Sequence, residues 1–237
     1  MDSGALPVTP GSQSVVPAAA DSELVSPTIH TGKGAGSGGT LLLVNPAMSV
    51  DGRRAPANPA GVTTMEPFSL AYVAASTPAH WDVRIVDEVE EDVPDDYRPD
   101  LVGITSMTLT TARAYNIARR YREQGVPVVM GGVHANLQPE EALQHVDVVF
   151  LGEAEGAWPA LIEDFENGRM KQRYEGQALN LQGLPWPRRD LYQRHYFLQL
   201  VSASRGCKYR CEFCSQWKLE GGRYRARPPE DFLDELE

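Results

Sequence analysis

The chain has 237 residues, 42% of them hydrophobic, with 22 basic against 32 acidic side chains and a formal net charge of −10. This length and apolar content allow one or two domains with a real core. The acidic balance argues against nucleic acid or an anionic membrane as partner, because either favours a basic face. No apolar run reaches membrane-spanning length, and residues 1–20 lack the basic-then-apolar order of a secretory signal. The expectation is a cytoplasmic protein whose thiols stay reduced.

Residues 1–39, rich in Ser, Gly, Ala and Pro, read as a disordered tail. Within it, Gly34-Ala-Gly-Ser-Gly-Gly39 has the G-x-G-x-x-G spacing, but it precedes a strand instead of following one, so it reads as a linker. A β/α alternation starts at Leu41. Strands are expected over Leu41–Asn45, Trp81–Val86, Leu101–Thr105, Pro127–Met130 and Val146–Leu151. Helices are expected from Pro67 to about Ser76, through Ala114, Ile117, Ala118 and Tyr121, and through Trp158, Leu161, Ile162 and Phe165. Apolar residues recur at helical spacing in each, and these stripes are core positions. Asp87 to Asp100 reads as a solvated acidic loop.

Short continuous apolar strands between amphipathic helices imply a parallel sheet covered on both faces. Residues 40–168 therefore read as an α/β, Rossmann-like, doubly wound domain, with a connector over 169–198. In such sheets ligands bind beyond the carboxyl ends of the strands. The candidate ligand-binding positions are Ser106 and Thr108, Gly131, Gly132 and His134, and Gly152, Glu153 and Gly156. Glycines at 131 and 132 allow backbone to approach a ligand closely, so bulk at Gly132 is expected to block access and spare the fold. His134 has two readings, a cofactor contact and a hydrogen-bonded loop histidine. His80 and His145 fall at expected surface turns.

All three cysteines lie in one window, Cys207-Lys-Tyr-Arg-Cys211-Glu-Phe-Cys214. Three thiolates on one tight loop can hold three irons of a 4Fe-4S cluster, leaving the fourth iron open to a small molecule. A structural zinc site is the alternative, but it usually needs four closed ligands, and the nearest histidine, His195, lies well upstream. A disulfide framework fits an odd cysteine count and the absent signal poorly. Gln199–Ala203 reads as a strand leading into this loop. Arg225 and Arg227 read either as anion contacts or as a solvated helix start, and a last helix is expected from about Pro229 to Glu237.

The C-x3-C-x2-C loop, with aromatic Phe213 before its last cysteine, resembles the radical S-adenosylmethionine (SAM) motif. Pro67-Phe-Ser-Leu-Ala-Tyr, Leu101-Val-Gly-Ile-Thr-Ser106, the two glycine loops and Pro187-Arg-Arg-Asp-Leu191 resemble, in that order, the cobalamin-binding domain that precedes many radical-SAM cores. Cys214-Ser-Gln-Trp-Lys is locally similar to the anaerobic oxidative cyclase of bacteriochlorophyll synthesis. The resemblance implies a cobalamin-dependent radical-SAM enzyme with a small-molecule substrate and an electron donor such as a flavodoxin or ferredoxin. SAM would bind the open iron, and its reductive cleavage would yield a radical for methyl transfer or oxidative cyclisation. Residues 199–237 would begin a β/α barrel, making this chain the amino-terminal part of a longer enzyme with little activity alone. The first-strand loop, Asn45-Pro-Ala-Met-Ser-Val-Asp51-Gly52, lacks the histidine that many cobalamin domains use as a cobalt ligand. Two other readings are a non-catalytic cobalamin-binding or sensing module, and a radical-SAM enzyme with a degenerate cobalamin domain.

Overall fold

A computed structural model describes residues 34, 36–50, 53–54, 65–193, 196–220 and 222–236. The expected tail falls outside the described residues up to residue 33, as does His195. In chain order the elements begin with β1 (Gly39–Asn45), the short pair β2 (Ser49–Val50) and β3 (Arg53–Arg54), and α1 (Phe68–Ala75). Next come β4 (Trp81–Asp87), β5 (Leu101–Thr105), α2 (Thr111–Glu123), β6 (Val128–Gly131), α3 (Gly132–Leu137) and α4 (Pro139–Ala142). They end with β7 (Val148–Gly152), α5 (Trp158–Glu166), β8 (Arg173–Gly176), β9 (Ser204–Arg205), α6 (Gln216–Leu219), β10 (Arg225–Ala226) and α7 (Pro229–Leu236).

One sheet runs β4-β1-β5-β6-β7-β8, and every neighbouring pair is parallel. Strand order reverses between β1 and β5, which is the switch point of a doubly wound sheet. Successive side chains of a strand face opposite ways, so β1 feeds two cores. Leu42 and Val44 pack with Val102, Ile104, Ala114, Ile117, Ala118 and Tyr121 on the α2 face. Leu41 and Leu43 pack with Leu70, Val129, Phe150, Trp158, Leu161, Ile162 and Phe165 on the face covered by α1 and α5. Burial on both sides explains why the strands read as unbroken apolar runs.

Four features differ from the sequence reading. A sixth strand, β8, extends the sheet past residue 168 into the segment read as connector; it is an edge strand burying only Tyr174. The strand expected over Gln199–Ala203 is not formed. Its neighbourhood offers one isolated parallel bridge, Met65 to Leu198, and the backbone ladder starts only where β9 meets β10 antiparallel. The segment carrying Gly132 and His134, read as a loop, is helix over Gly132–Leu137, α3. The acidic stretch after β4 is not all solvated: Asp87 and Glu88 are buried, and Arg113 of α2 forks onto Glu88 at 2.9 and 3.0 Å.

Candidate cofactor site at the carboxyl edge of the sheet

The glycine-rich segment Gly34–Gly39 leads into the amino end of β1, the opposite edge of the sheet from the strand-end loops. Gly36 N–H donates there to Glu166 at 2.9 Å. At the carboxyl edge, by contrast, a cavity of about 560 Å³ opens on the α1 side, a size ordinary for a cofactor or substrate pocket. Its floor is apolar: Leu43, Val129, Phe150 and Trp158 line it. Gly103 belongs to that floor, and a Cβ there would come within 2.8 Å of the Leu43 side chain. The rim is Thr105, Gly131, Gly132 and Gly152 to Glu155, and α1 closes one side with Phe68 to Val73.

Of the positions selected from sequence, the cavity collects Gly131, Gly132, Gly152 and Glu153. Ser106, Thr108, His134 and Gly156 lie outside its wall. Ser106 is buried, bonded through Oγ to Thr111 Oγ1 at 3.2 Å, and its main-chain oxygen accepts from His134 N–H at 2.9 Å. Thr108 is exposed on the turn before α2. Gly156 faces Leu179, 3.0 Å from where its Cβ would stand. His134 is buried beside α2, with Nε2 3.1 Å from Tyr115 Oη. Its Nδ1 has no hydrogen-bond partner among the described residues. Burial, then the charge of Glu141, push the Tyr115 phenol up. The hydrogen-bonded reading of His134 describes its placement in this fold.

Gly132 has a specific structural reason. Its φ is +87°, and a Cβ would stand 2.7 and 2.8 Å from Ser106 N and O. The glycine therefore serves contact between two strand-end loops, which corrects the expectation that bulk there would spare the fold. Asn136, not singled out from sequence, fastens a second pair of loops. Its amide donates to Gly132 O at 2.8 Å and accepts from Gly152 N–H at 2.8 Å. Asn45 donates to Asp87 at 2.9 Å and Ala47 N–H donates to Glu88 at 3.1 Å, so buried carboxylates hold the histidine-free first loop in place. Met48 there is exposed.

The remaining wall comes from residues flanking the cysteines: Ser202, Ser204, Arg205 and Gly206 before them, Gln216 and Glu220 after them. Arg205 and Arg225 are cross-strand partners on the β9–β10 ribbon. Two like charges so placed repel, and Glu153 resolves this by accepting from both, at 3.3 Å from Arg205 and 3.0 Å from Arg225. Burial pushes the Glu153 carboxyl up. The Arg225 and Leu179 hydrogen bonds and the two arginine charges outweigh it and hold the group below the usual carboxylate range. Burial and then the charge of Glu153 raise Glu220. Of the two readings of Arg225 and Arg227, an anion contact and a solvated helix start, the structure shows the first: Arg225 meets the Glu153 carboxylate, and Arg227 is buried against that of Glu235.

Gly206, φ +85°, brings the chain so close to Arg223 that any Cβ would meet its carbonyl. Cys207 follows directly. Cys207 and Cys214 are half-buried and Cys211 is exposed; all three are free thiols. Cys214 N–H donates to Cys211 O at 3.1 Å, forming a turn. Among the described residues no three His, Cys, Asp or Glu groups stand gathered for a metal ion. The donor chemistry, three thiols on one loop, fits an iron–sulfur cluster.

The fold is a doubly wound domain with a cavity among glycine-lined strand ends. Residues 61–162 match the B12 binding domain family. The chain is similar to bacteriochlorophyllide d C-8(2)-methyltransferase of Chlorobaculum tepidum, 32% identical over 180 residues, 72% of this chain and 40% of that protein. Hopanoid C-2 methylase of Rhodopseudomonas palustris is 29% identical over 181 residues, 73% of this chain and 34% of that protein. An anaerobic magnesium-protoporphyrin IX monomethyl ester cyclase of Rubrivivax gelatinosus is 26% identical over 214 residues, 72% of this chain and 38% of that protein. The chain thus spans 34% to 40% of the length of these three relatives. No helix among the described residues is long and apolar enough to cross a membrane.

Proposed function

We propose that this chain supplies the cobalamin-binding domain and the cluster loop of a cobalamin-dependent radical-SAM enzyme that methylates an unactivated carbon of a small molecule. The observation that carries the reading is the shared cavity: strand-end glycines of the B12-binding domain form one wall, and residues flanking Cys207, Cys211 and Cys214 form another. Methyl transfer is preferred to cyclisation because the methyltransferase and methylase above are the more similar relatives, at 32% and 29% identity against 26% for the cyclase.

In this reading Cys207, Cys211 and Cys214 would hold a 4Fe-4S cluster that works with SAM and takes electrons from a small electron-transfer protein. Cobalamin lies at the carboxyl edge, and together these groups supply the one-electron chemistry and the methyl group. The chain's own residues bind and orient. The floor of Leu43, Val129, Phe150 and Trp158 excludes water from the buried part of the ligand. Gly131 lets backbone approach the ligand, Gly152 at φ +72° is needed where a Cβ would run into Gly176 O, and Asn136 holds their loops in register. Glu153 and its two arginines fix the cysteine segment against the rim. The domains in this reading are 40–168 with its added edge strand, a connector to 198, and the cluster-bearing segment 199–237.

Anaerobic reconstitution with iron and sulfide, followed by hydroxocobalamin titration, tests the reading by absorbance. Cluster and corrin bands should appear independently. Any of Cys207→Ala, Cys211→Ala or Cys214→Ala should remove the cluster bands and leave corrin binding. Zinc displacing iron in the wild type, or no corrin binding at high micromolar concentration, contradicts it.

A further inference from the structure

The two candidate cofactor sites meet at one side chain. Arg205 stands two residues before Cys207. Its guanidinium donates to Glu153 at 3.3 Å and to Glu155, and its Cζ lies 4.9 Å over the Tyr72 ring of α1. One group thus grips the loop after β7, the first helix and the strand that delivers the cysteines. Its neighbours keep that strand in a fixed place. Gly206 is pressed onto Arg223, and Arg225 across the ribbon binds both Glu153 and Leu179 O, the latter at 2.7 Å. Arg205, Glu153, Glu155 and Tyr72 all line the cavity.

We propose that Arg205 is a positioning residue that couples the cysteine loop to the cavity, so that metal loading at the cysteines and occupancy of the cavity strengthen each other. The inference rests on the functional reading above and adds its regulation. Residues 208–213 of the cysteine loop are exposed, and among the described residues its thiols are not gathered for metal, so loading has to order it. Ordering the loop further restrains Ser204 to Gly206 before it and Gln216 after it, which are cavity wall. A ligand in the cavity fixes the same wall from the other side, and linkage makes the effect reciprocal. A planar guanidinium in a forked ion pair transmits such placement better than a flexible ammonium does.

The test uses the full chain, apo and reconstituted with iron and sulfide, titrated anaerobically with hydroxocobalamin by absorbance. The wild type should bind at least about fivefold more tightly when loaded, the lower end of ordinary coupling. Arg205→Gln should bring that ratio close to one, the loaded affinity of each variant being compared with that of its own apo chain. Glu155→Gln, which loosens the same clasp from the B12-binding side, should lower the ratio too and guards against misfolding of the arginine variant. Normal binding of both groups with a wild-type ratio near one, or a full ratio in both variants, overturns the inference and leaves the functional reading standing. Failure of the wild type to take up cobalamin or iron at all overturns both.

Discussion

Replacing Gly132 by alanine should strain the cavity rim from within. The added Cβ would stand 2.7 Å from Ser106 N, 2.8 Å from Ser106 O and 2.8 Å from Thr105 Oγ1. Two of these are backbone atoms, and Ser106 cannot retreat easily: its N–H donates to Gly131 O and its oxygen accepts from His134 N–H. An L residue at φ +87° costs about 1–2 kcal/mol. Overpacking a site that relaxes poorly adds about 1–3 kcal/mol. The sum, roughly 2–5 kcal/mol, is a large part of the 5–15 kcal/mol that holds a typical domain together. Gly131, one residue earlier, is the internal control. Its φ is −123°, and its Cβ would meet nothing nearer than Phe150 O at 3.6 Å. Gly131→Ala should cost less than about 1 kcal/mol and act on cobalamin affinity instead. Urea unfolding with matched m-values separates the two. A Gly132→Ala variant within about 0.5 kcal/mol of wild type, inside the spread of ordinary surface changes, would refute the reasoning.

Glu153 predicts acid sensitivity in the docking of the cysteine segment. Its folded-state pKa lies below the ordinary glutamate value, so its stabilisation is complete above that value and is lost as pH falls through the depressed pKa. The groups facing it, Arg205 and Arg225, stay charged throughout, while Glu220, raised in pKa, takes up its proton first. Hydrogen exchange at residues 202–206, corrected for intrinsic rates, should therefore accelerate below the glutamate range, and Glu153→Gln should flatten that dependence; a pH-independent wild type contradicts it. At the other edge of the sheet, Trp81→Phe deletes the indole N–H that donates to buried Glu166 at 2.8 Å. That should cost about 1–3 kcal/mol in denaturant unfolding, and a cost near zero contradicts the assignment.

The legible parts of the fold were those where local pattern and burial agree. The stripe of α2, Ala114, Ile117, Ala118 and Tyr121, and that of α5, Trp158, Leu161, Ile162 and Phe165, are all buried as spaced. Strand β8 escaped because an edge strand buries one side chain, Tyr174, and Arg-Tyr-Glu-Gly carries no apolar run. The strand-end rule led to Gly131, Gly132, Gly152 and Glu153 because it follows from topology alone. It failed to separate them from His134 because α3 turns that side chain toward Tyr115 on the far side of the sheet. Arg205 and Asn136 gave no local signal. Their roles come from pairings 52 and 16 residues distant in sequence — Arg205 with Glu153, Asn136 with Gly152 — and no window of the chain displays such partners.

The central claim, two cofactors meeting at one cavity, is tested most directly by measuring iron, sulfide and cobalt in one anaerobically reconstituted sample. The account predicts about four irons and about four sulfides, as a 4Fe-4S cluster requires, together with one cobalt per chain. Gly131→Trp should lose the cobalt and keep the iron, and Cys211→Ala should lose the iron and keep a more weakly held cobalt. Cobalt retained at full affinity with a tryptophan at position 131 would contradict it.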